Sequence, residues 1–210
     1  MRDIIIIGAG GFGREVKQLI SDINQDNPSY NLLGFIDDGI DKGTLIHELP
    51  VLGNTEDLKA MDSSIALAIA VGHPATKRNL ANQMKNFSFP TLIHPTVYPL
   101  GTNVRIGNGC ILCRHTILTC DITLGDFVIL NLACTVGHDV VIKNHSSFMP
   151  AVNISGEVTI QEGIYVGTGA KIINDLEIGE NSIIGAGAVV TKSIPPNTTA
   201  VGMPAKPLNK

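Results

Sequence analysis

The chain has 210 residues, of which 44% are hydrophobic and 16% charged, and this balance excludes a disordered protein. A net charge of −4 argues against nucleic acid or an anionic membrane as a partner. Apolar runs such as Ile4–Ile7 are too short to span a bilayer, and the first residues lack the pattern of a secretory signal, so we expect a cytoplasmic protein.

Residues 1 to about 90 alternate strand-like and helix-like segments, which predicts an α/β domain with a small Rossmann-like parallel sheet. The predicted elements are a strand at Asp3–Ile7, a helix from Arg14 to about Ile23, a strand at Leu32–Ile36, a short helix at Thr55–Ala60 with Thr55 as its N-cap, a strand at Ile65–Val71 and a helix at Ala75–Asn86.

A glycine-rich segment, Gly8-Ala9-Gly10-Gly11-Phe12-Gly13, joins the first strand to the first helix. Such a turn brings backbone amides close to a phosphate at a helix N-terminus. Asp37 follows near the spacing of the acidic residue that binds ribose in dinucleotide-binding domains. Three βα pieces are too few for two mononucleotide halves, so we interpret the domain as a site for one nucleotide of a nucleotide sugar. An NAD-dependent oxidoreductase, or a turn that only packs the helix on the strand, are the alternatives.

From about His94 the chain repeats with a period of six. Every sixth residue from Leu100 to Val190 is large and apolar, and a second register four residues later is small or apolar without charge. This period fits a solenoid of very short strands with a corner every six residues, and no long loop should interrupt it. Glycines cluster directly after the large apolar residue, where we expect unusual backbone dihedrals. They are Gly101, Gly107, Gly125, Gly137, Gly167, Gly179 and Gly185.

The repeat resembles that of the hexapeptide-repeat acyltransferases, and the resemblance implies an all-β, left-handed parallel β-helix with three hexapeptides per triangular coil. The segment Val201–Pro207 is similar to the family's ending near bound coenzyme A. A short nucleotide-binding domain ahead of the β-helix is the arrangement of the sugar N-acetyltransferases of the bacillosamine and perosamine pathways and of sialic-acid O-acetyltransferases. We expect the nucleotide-sugar domain at 1–90, the β-helix at 91–193 and a tail near coenzyme A at 194–210.

The pair His138-Asp139 is the candidate for catalysis. In the repeat phase both residues lie outside the inward registers, so the imidazole points outward near a corner, and the adjacent carboxylate raises its basicity. The resemblance implies that this is the family's catalytic histidine with its acidic neighbour, which is Glu there and Asp here. A solvated surface histidine is the alternative.

The resemblance also assigns binding positions. Those that match contacts to the nucleotide sugar are Gly10, Gly11, Phe12, Asp37, Asp38 and Gly72, with Asn131 as a residue that orients the sugar. Those that match contacts to acetyl-CoA are Ser147, Gly156, Thr168 and Ala186. Two positions depart from the expected pattern: the bacillosamine enzymes carry a histidine in place of Phe12, and the family carries one in place of Ser147.

The remaining histidines and the cysteines have simpler interpretations. Cys110 and Cys113 have the spacing of a zinc site, but Cys110 and Cys134 fall in the inward register, so we predict core thiols and no metal. His94 aligns with the apolar register and is expected to be structural. His115 and His145 are expected at the surface, and His73 is a further candidate contact to the sugar nucleotide.

Together these inferences predict an acetyl-CoA-dependent N-acetyltransferase that acts on a UDP-4-amino sugar type of substrate. His138 would take a proton from the amine, Asp139 would hold the imidazole, and a backbone N–H such as that of Gly156 would stabilise the oxyanion. The resemblance implies a homotrimer with the acetyl site between subunits. Acetylation of a sugar hydroxyl and a non-catalytic nucleotide-sugar-binding scaffold are the alternatives.

Overall fold

The computed structural model describes residues 1–98 and 100–208, and its first part is a five-stranded sheet flanked by helices. The elements are β1 (Arg2–Ile7), α1 (Gly11–Asp26), β2 (Tyr30–Ile36), β3 (Leu45–Ile46), β4 (Leu49–Gly53), α2 (Thr55–Lys59), β5 (Ala66–Ile69) and α3 (Pro74–Gln83). The strand order is β3-β4-β2-β1-β5. All neighbours pair in parallel except β3 with β4. The predicted Rossmann-like parallel sheet is therefore confirmed.

The β-branched run of β1 forms the centre of this sheet because its side chains are buried on both sides. Ile4 and Ile6 pack in the cluster that contains α1, whereas Ile5 and Ile7 pack in the cluster that contains α3. Because successive side chains of β1 point to opposite faces of the sheet, α1 packs on one face and α3 on the other.

Two local predictions in this domain are wrong. The N-cap of α2 is Asn54 and not Thr55, because the Asn54 side chain accepts hydrogen bonds from the N–H groups of Glu56 and Asp57. Asp57 in turn accepts from the Asn54 N–H, which completes a capping box. The helix α1 begins at Gly11, inside the glycine-rich segment, rather than at Arg14.

The second part is a parallel β-helix whose two-residue strands form three sheets, and the predicted left-handed β-helix is confirmed. The domain face comprises β6 (Leu92–Ile93), β8 (Ile111–Leu112), β11 (Ile129–Leu130), β14 (Ser147–Phe148), β17 (Tyr165–Val166), β20 (Ile183–Ile184), β22 (Thr199–Val201) and β23 (Lys206–Pro207). The second face comprises β9 (Ile117–Leu118), β12 (Thr135–Val136), β15 (Asn153–Ile154), β18 (Lys171–Ile172) and β21 (Val189–Val190). The third face comprises β7 (Arg105–Ile106), β10 (Thr123–Leu124), β13 (Val141–Ile142), β16 (Thr159–Ile160) and β19 (Glu177–Ile178). Before the first full coil, Pro95–Val97 forms a 3₁₀ turn.

The coils stack with strict regularity. On the third face Thr123 pairs with Val141, and Val141 with Thr159, so each strand lies over the one eighteen residues away. Most residues of the two inward registers, such as Leu130 in the first and Val140 in the second, are buried in one continuous core. Dispersion and apolar burial along this narrow core stabilise the coils.

The expectation about corner glycines is wrong in its physical reason. The seven glycines that follow the large apolar residue do not adopt positive φ. A Cβ at Gly101 would instead collide with the carbonyl oxygen of Thr119 in the next coil. The left-handed backbone falls two residues later, at positions such as Ala133 (φ 56°) and Asp139 (φ 57°). Close approach between coils, and not the turn dihedral, therefore selects these glycines.

The last coil is covered by the segment that follows it. The strand β23 pairs antiparallel with β22 under the domain face. Under the second face, Val189 exchanges backbone hydrogen bonds with Gly202 and Ala205. Under the third face, Ile194 bridges to Ile178, and the backbone of Pro195–Pro196 lies against Gly179.

The α/β unit packs on the domain face through α1 and α3. Asp22 on α1 bonds His94 (3.1 Å) and Arg114 (2.8 Å), which ties the helix to the first coils. Lys77 on α3 is 1% exposed and its Nζ donates to the Ser147 Oγ at 2.8 Å. The corner between the second and third faces, which we call the distal corner, is the edge of the prism opposite the domain face.

Burial lowers the pKa of Lys77 from an ordinary 10.5 to about 7. The folded protein holds this proton less tightly than the unfolded chain does. Between pH 7 and 10.5 unfolding therefore takes up a proton, and the free energy of unfolding contributed by this group rises with pH. Below pH 7 the cost of a buried charge is fully present.

We predict that the free energy of unfolding of the wild type rises relative to Lys77→Met by about 3 kcal/mol between pH 7 and 9.5. Urea unfolding at fixed protein concentration measures this difference. Lys85→Met, which replaces an exposed lysine just beyond α3, is the matched control. A difference that does not change with pH would show that Lys77 keeps an ordinary affinity for its proton.

Candidate active site

The histidine and aspartate singled out in the sequence meet at the distal corner. Both side chains are 58% exposed, and the His138 Nδ1 lies 2.8 Å from the Asp139 Oδ2. A carboxylate can only accept, so Nδ1 carries the hydrogen of the neutral imidazole and Nε2 holds the free electron pair. Asp139 adopts the left-handed turn conformation, which brings its carboxylate back to the preceding ring. The arrangement is that of an oriented general base facing solvent.

Gly156 provides the surface on which this imidazole lies. A Cβ at Gly156 would stand 2.5 Å from both the Cε1 and the Nε2 of His138. One coil further on, the same repeat position is occupied by Asn174, so the backbone there accepts a side chain. The glycine is therefore required by the ring of His138. Within residues 1–98 and 100–208 the N–H of Gly156 has no hydrogen-bond acceptor, and the residue itself is buried.

The sequence analysis missed a second carboxylate beside the imidazole. One ligand atom each from His138, Asp139 and Glu157 lie within 4.8 Å of one another. The Glu157 N–H also donates to the His138 carbonyl oxygen at 2.9 Å. The signal that could have found it was the period, since Glu157 stands eighteen residues after Asp139.

The loops that follow β1 and β5 lie side by side at the carboxyl edge of the sheet, and we call the space between them the crevice. The chain leaves β1 towards β2 on one side and later returns to β5 on the other, which makes this a topological switch point, where open α/β sheets bind ligands. Gly10, Gly11 and Phe12 line one side of it and Gly72 follows β5 on the other. The first turn of α1 has no acidic residue, so its free N–H groups favour an anion.

The two aspartates after β2 hold the loops of this crevice. Asp37 accepts hydrogen bonds from the N–H of Ala9 (2.8 Å) and of Gly39 (2.9 Å). Asp38 accepts from the N–H of Thr55 at 2.8 Å. Asp37 thus fixes the glycine-rich turn, while each carboxylate keeps further acceptor capacity. The Phe12 ring packs partly buried against the domain core.

The other predicted positions do not reach His138 within one chain. Ser147 is fully buried with its hydroxyl bonded to Lys77, so an acetyl-CoA contact there is blocked by the α/β domain of the same chain. Asn131 is 5% exposed, and its Oδ1 accepts from the Leu132 N–H. Thr168 and Ala186 are exposed and stand one coil apart at the corner between the domain and second faces.

The crevice lies beside the domain face of the prism, away from the distal corner. A Cβ at Gly72 would lie 3.6 Å from the Met149 Cε, at the end of β14. His138 lies at the opposite edge of the prism. One chain therefore carries the crevice and the base at separate places.

Three of the four cysteines are buried, in two different cores, and Cys120 is half-buried. Cys110 and Cys134 lie inside the β-helix as predicted, whereas Cys113 packs with Ile111 and Ile129 against the α/β domain. Burial raises the pKa of the Cys110 thiol to about 11 and that of Cys113 to about 12. These thiols stay protonated and unreactive near neutral pH.

The minor histidines divide between structural and surface positions. His94 is 5% exposed and structural, as expected from its register. His145 is not a free surface group, since its ring stacks on Phe127 at 5.2 Å and burial lowers its pKa. His115 is exposed. His73 precedes α3 next to the crevice, with its Nδ1 3.3 Å from the Thr76 Oγ1.

In the part of the chain that the structure describes, no helix is both long and apolar enough to cross a membrane.

Comparison with family models matches residues 3–84 to the PglD N-terminal domain. Residues 157–192 match the bacterial transferase hexapeptide, a model of six repeats.

Solved structures match over almost the whole chain. The acetyltransferase domain of PglB from Neisseria gonorrhoeae FA1090 is 30% identical, with a TM-score of 0.90 over 99% of this chain and 100% of that one. A mutant of perosamine N-acetyltransferase from Caulobacter crescentus, in complex with CoA and GDP-perosamine, is 25% identical, with a TM-score of 0.87 over 100% and 98%. A curated relative, a putative acetyltransferase of Schizosaccharomyces pombe, is 37% identical over 131 residues, which are 59% of this chain and 60% of the relative. The chain thus spans less than two thirds of that relative's length.

We predict that Gly156→Ala displaces the His138 ring and separates Nδ1 from the Asp139 carboxylate. The free energy of unfolding should fall by less than about 1 kcal/mol, because the obstructing atoms belong to a movable side chain. A crystal structure of the variant and its urea unfolding curve measure both effects. Asn174→Ala, at the same position of the next coil, is the control and should leave the ring in place. An unmoved imidazole in Gly156→Ala contradicts the packing role assigned to the glycine.

Proposed function

We propose that this chain transfers the acetyl group of acetyl-CoA to the amino group of a nucleotide-linked amino sugar. The premise is that the chain belongs to the hexapeptide-repeat, left-handed β-helix acetyltransferases with a PglD-type N-terminal domain. The observation that carries the proposal is the exposed imidazole of His138, held by Asp139 with its Nε2 free. The printed names of the similar structures, an acetyltransferase domain and a perosamine N-acetyltransferase, support the same chemistry.

In the proposed reaction the neutral amine attacks the thioester carbonyl carbon. The Nε2 of His138 takes the proton that the nitrogen loses as the C–N bond forms. The C–S bond then breaks, and His138 returns the proton to the departing thiolate. Asp139 stabilises the imidazolium in between, and the Gly156 N–H, which has no acceptor among the described residues, is the proposed donor to the oxyanion. A thioester is already activated, so the reaction needs no covalent acyl-enzyme.

The crevice of the α/β domain supplies the proposed site for the nucleotide sugar. The first turn of α1 would receive the diphosphate through the N–H groups of Gly11 and Phe12. Gly72 lies across the crevice, and Asp37 keeps the glycine-rich turn in position. A nucleotide-linked 4-amino sugar, of the UDP type, is the proposed substrate, and GDP-perosamine in the Caulobacter crescentus complex is a ligand of this class.

We propose that the acetyl site lies between neighbouring copies of the chain in a homotrimer. In one chain the Gly72 side of the crevice lies beside the end of β14 on the domain face, whereas His138 lies on the opposite edge of the prism. A sugar held in one crevice can meet a His138 only if a second chain presents its distal corner there. Thr168 and Ala186, at the corner nearer the crevice, would then flank the acetyl-CoA of that shared site, which would lie near the covering segment 194–208.

The first test measures thiol release from acetyl-CoA with a panel of UDP- and GDP-linked 4-amino sugars. The wild type should turn over at least one member, and His138→Ala should lower kcat/KM by about 100-fold or more. His115→Ala, which removes an exposed histidine from another corner, is the matched control.

Equal activity of wild type and His138→Ala would refute the assignment of the base. Turnover of the matched hydroxyl sugars alone would indicate an O-acetyltransferase. Binding of nucleotide sugars without thiol release from any acceptor would indicate a scaffold.

The shared site is tested by mixing two inactive variants. Gly10→Glu places a carboxylate at the start of α1, where a side chain has open space and a phosphate would be repelled. Co-expression of Gly10→Glu with His138→Ala in equal amounts should restore about one quarter of the wild-type activity, because a quarter of the subunit junctions pair an intact crevice with an intact base. No recovery in purified mixed trimers would place the site within one chain.

A further inference from the structure

A column of carboxylates runs along the distal corner. Asp121, Asp139, Glu157 and Asp175 occupy the left-handed position of four successive coils, with φ between 56° and 60°. Successive coils lie about 4.8 Å apart, so these acids stand directly over one another. The proposed reaction uses only Asp139.

Glu157 is the member of this column that adjoins the proposed base. Its carboxylate belongs to the group of atoms within 4.8 Å that includes His138 and Asp139. Among residues 1–98 and 100–208, no lysine or arginine forms an ion pair with Asp139 or Glu157. The neighbourhood of the His138 imidazole therefore carries an excess of negative charge.

We infer that Glu157 favours an acceptor that arrives as a cation and is deprotonated before it attacks, and thus an amino sugar over a hydroxyl sugar. The inference rests on the proposed acetyl transfer and settles which acceptor that site prefers. An amine of this kind is largely protonated near neutral pH, so it arrives as an ammonium ion that two carboxylates attract. A sugar hydroxyl arrives neutral and gains nothing from them.

The same charge acts in the transition state. As the amine nitrogen attacks the carbonyl carbon it becomes positive before His138 removes the proton. A carboxylate within reach stabilises that developing charge, and only such differential stabilisation raises the rate. The protons balance without any further acid or base. The bound ammonium ion first releases one proton to water, and the second proton of the amine passes through His138 to the departing thiolate.

The test compares Glu157→Gln with Asp175→Asn. Both substitutions remove one charge from the same corner position of adjacent coils, but Asp175 lies outside the group of atoms around His138. The acceptor is the panel member that the wild type turns over fastest, and its analogue carries a hydroxyl in place of the amine. Thiol release gives kcat and KM, and calorimetry on the intact oligomer gives the affinity for both compounds.

Glu157→Gln should lower kcat/KM for the amine about three- to tenfold and leave the KM for acetyl-CoA unchanged. Its affinity for the hydroxyl analogue should stay within twofold of the wild type, so the preference for the amine falls. High salt should reduce the difference between wild type and variant, because the carboxylates are exposed. Glu157→Asp should recover most of the activity, and Asp175→Asn should match the wild type.

Two results would overturn the inference while leaving acetyl transfer intact. One is a Glu157→Gln variant indistinguishable from Asp175→Asn. The other is an equal loss for amine and hydroxyl ligands, which would make Glu157 a general structural support of the corner. If the wild type acetylates no amino sugar of the panel, the proposed function fails first, and the inference fails with it.

Discussion

The stacking of coils at a distance of eighteen residues is the constraint on which the rest of the structure depends. Every backbone strand receives its hydrogen bonds from the coil above and the coil below, so no residue of the prism can move along the axis without breaking both ladders. Each side chain consequently has fixed neighbours eighteen residues away. The imidazole of His138 lies on Gly156 for this reason alone, and Glu157 is brought under Asp139 by the same spacing.

This fixed stacking has an electrostatic cost at the distal corner, where it places carboxylates over one another. Like charges one coil apart repel each other by about 0.9 kcal/mol even in water, so a column of four acids is unfavourable for the isolated chain. Exposure to solvent limits the repulsion, and the hydrogen bond from His138 compensates part of it at Asp139. On the third face, by contrast, the carboxylate of Glu177 accepts a hydrogen bond from the neutral side chain of Gln161 instead of facing another acid. Unfavourable local electrostatics beside an oriented base is typical of a functional site.

Most of the structure that could be predicted from the sequence followed from the period of six residues. It placed Leu130 and Phe148 inside, set His138 outside, and ruled out an interrupting loop. It could not place Lys77, because the contact of that lysine with Ser147 depends on how α3 docks on the prism, and no local pattern encodes this docking. The N-cap of α2 was missed for a related reason, since Asn54 and Thr55 are both good caps and only the turn geometry selects between them. The position of Glu157 could have been predicted from the sequence, because the coil length of eighteen residues that aligns the core residues also brings position 157 next to position 139.

The covering of the last coil matters beyond the single molecule. A stack of parallel coils presents unpaired strand edges at its end, and such edges would recruit another chain into an open-ended filament. Here β23, the backbone around Gly202 and the segment Ile194–Pro196 occupy the three edges. Pro195 and Pro196 lack the N–H that an added strand would need, so the third edge is closed by chemistry as well as by coverage. The segment at 194–208 therefore covers the strand edges at this end of the prism, so another chain cannot extend the stack of coils there.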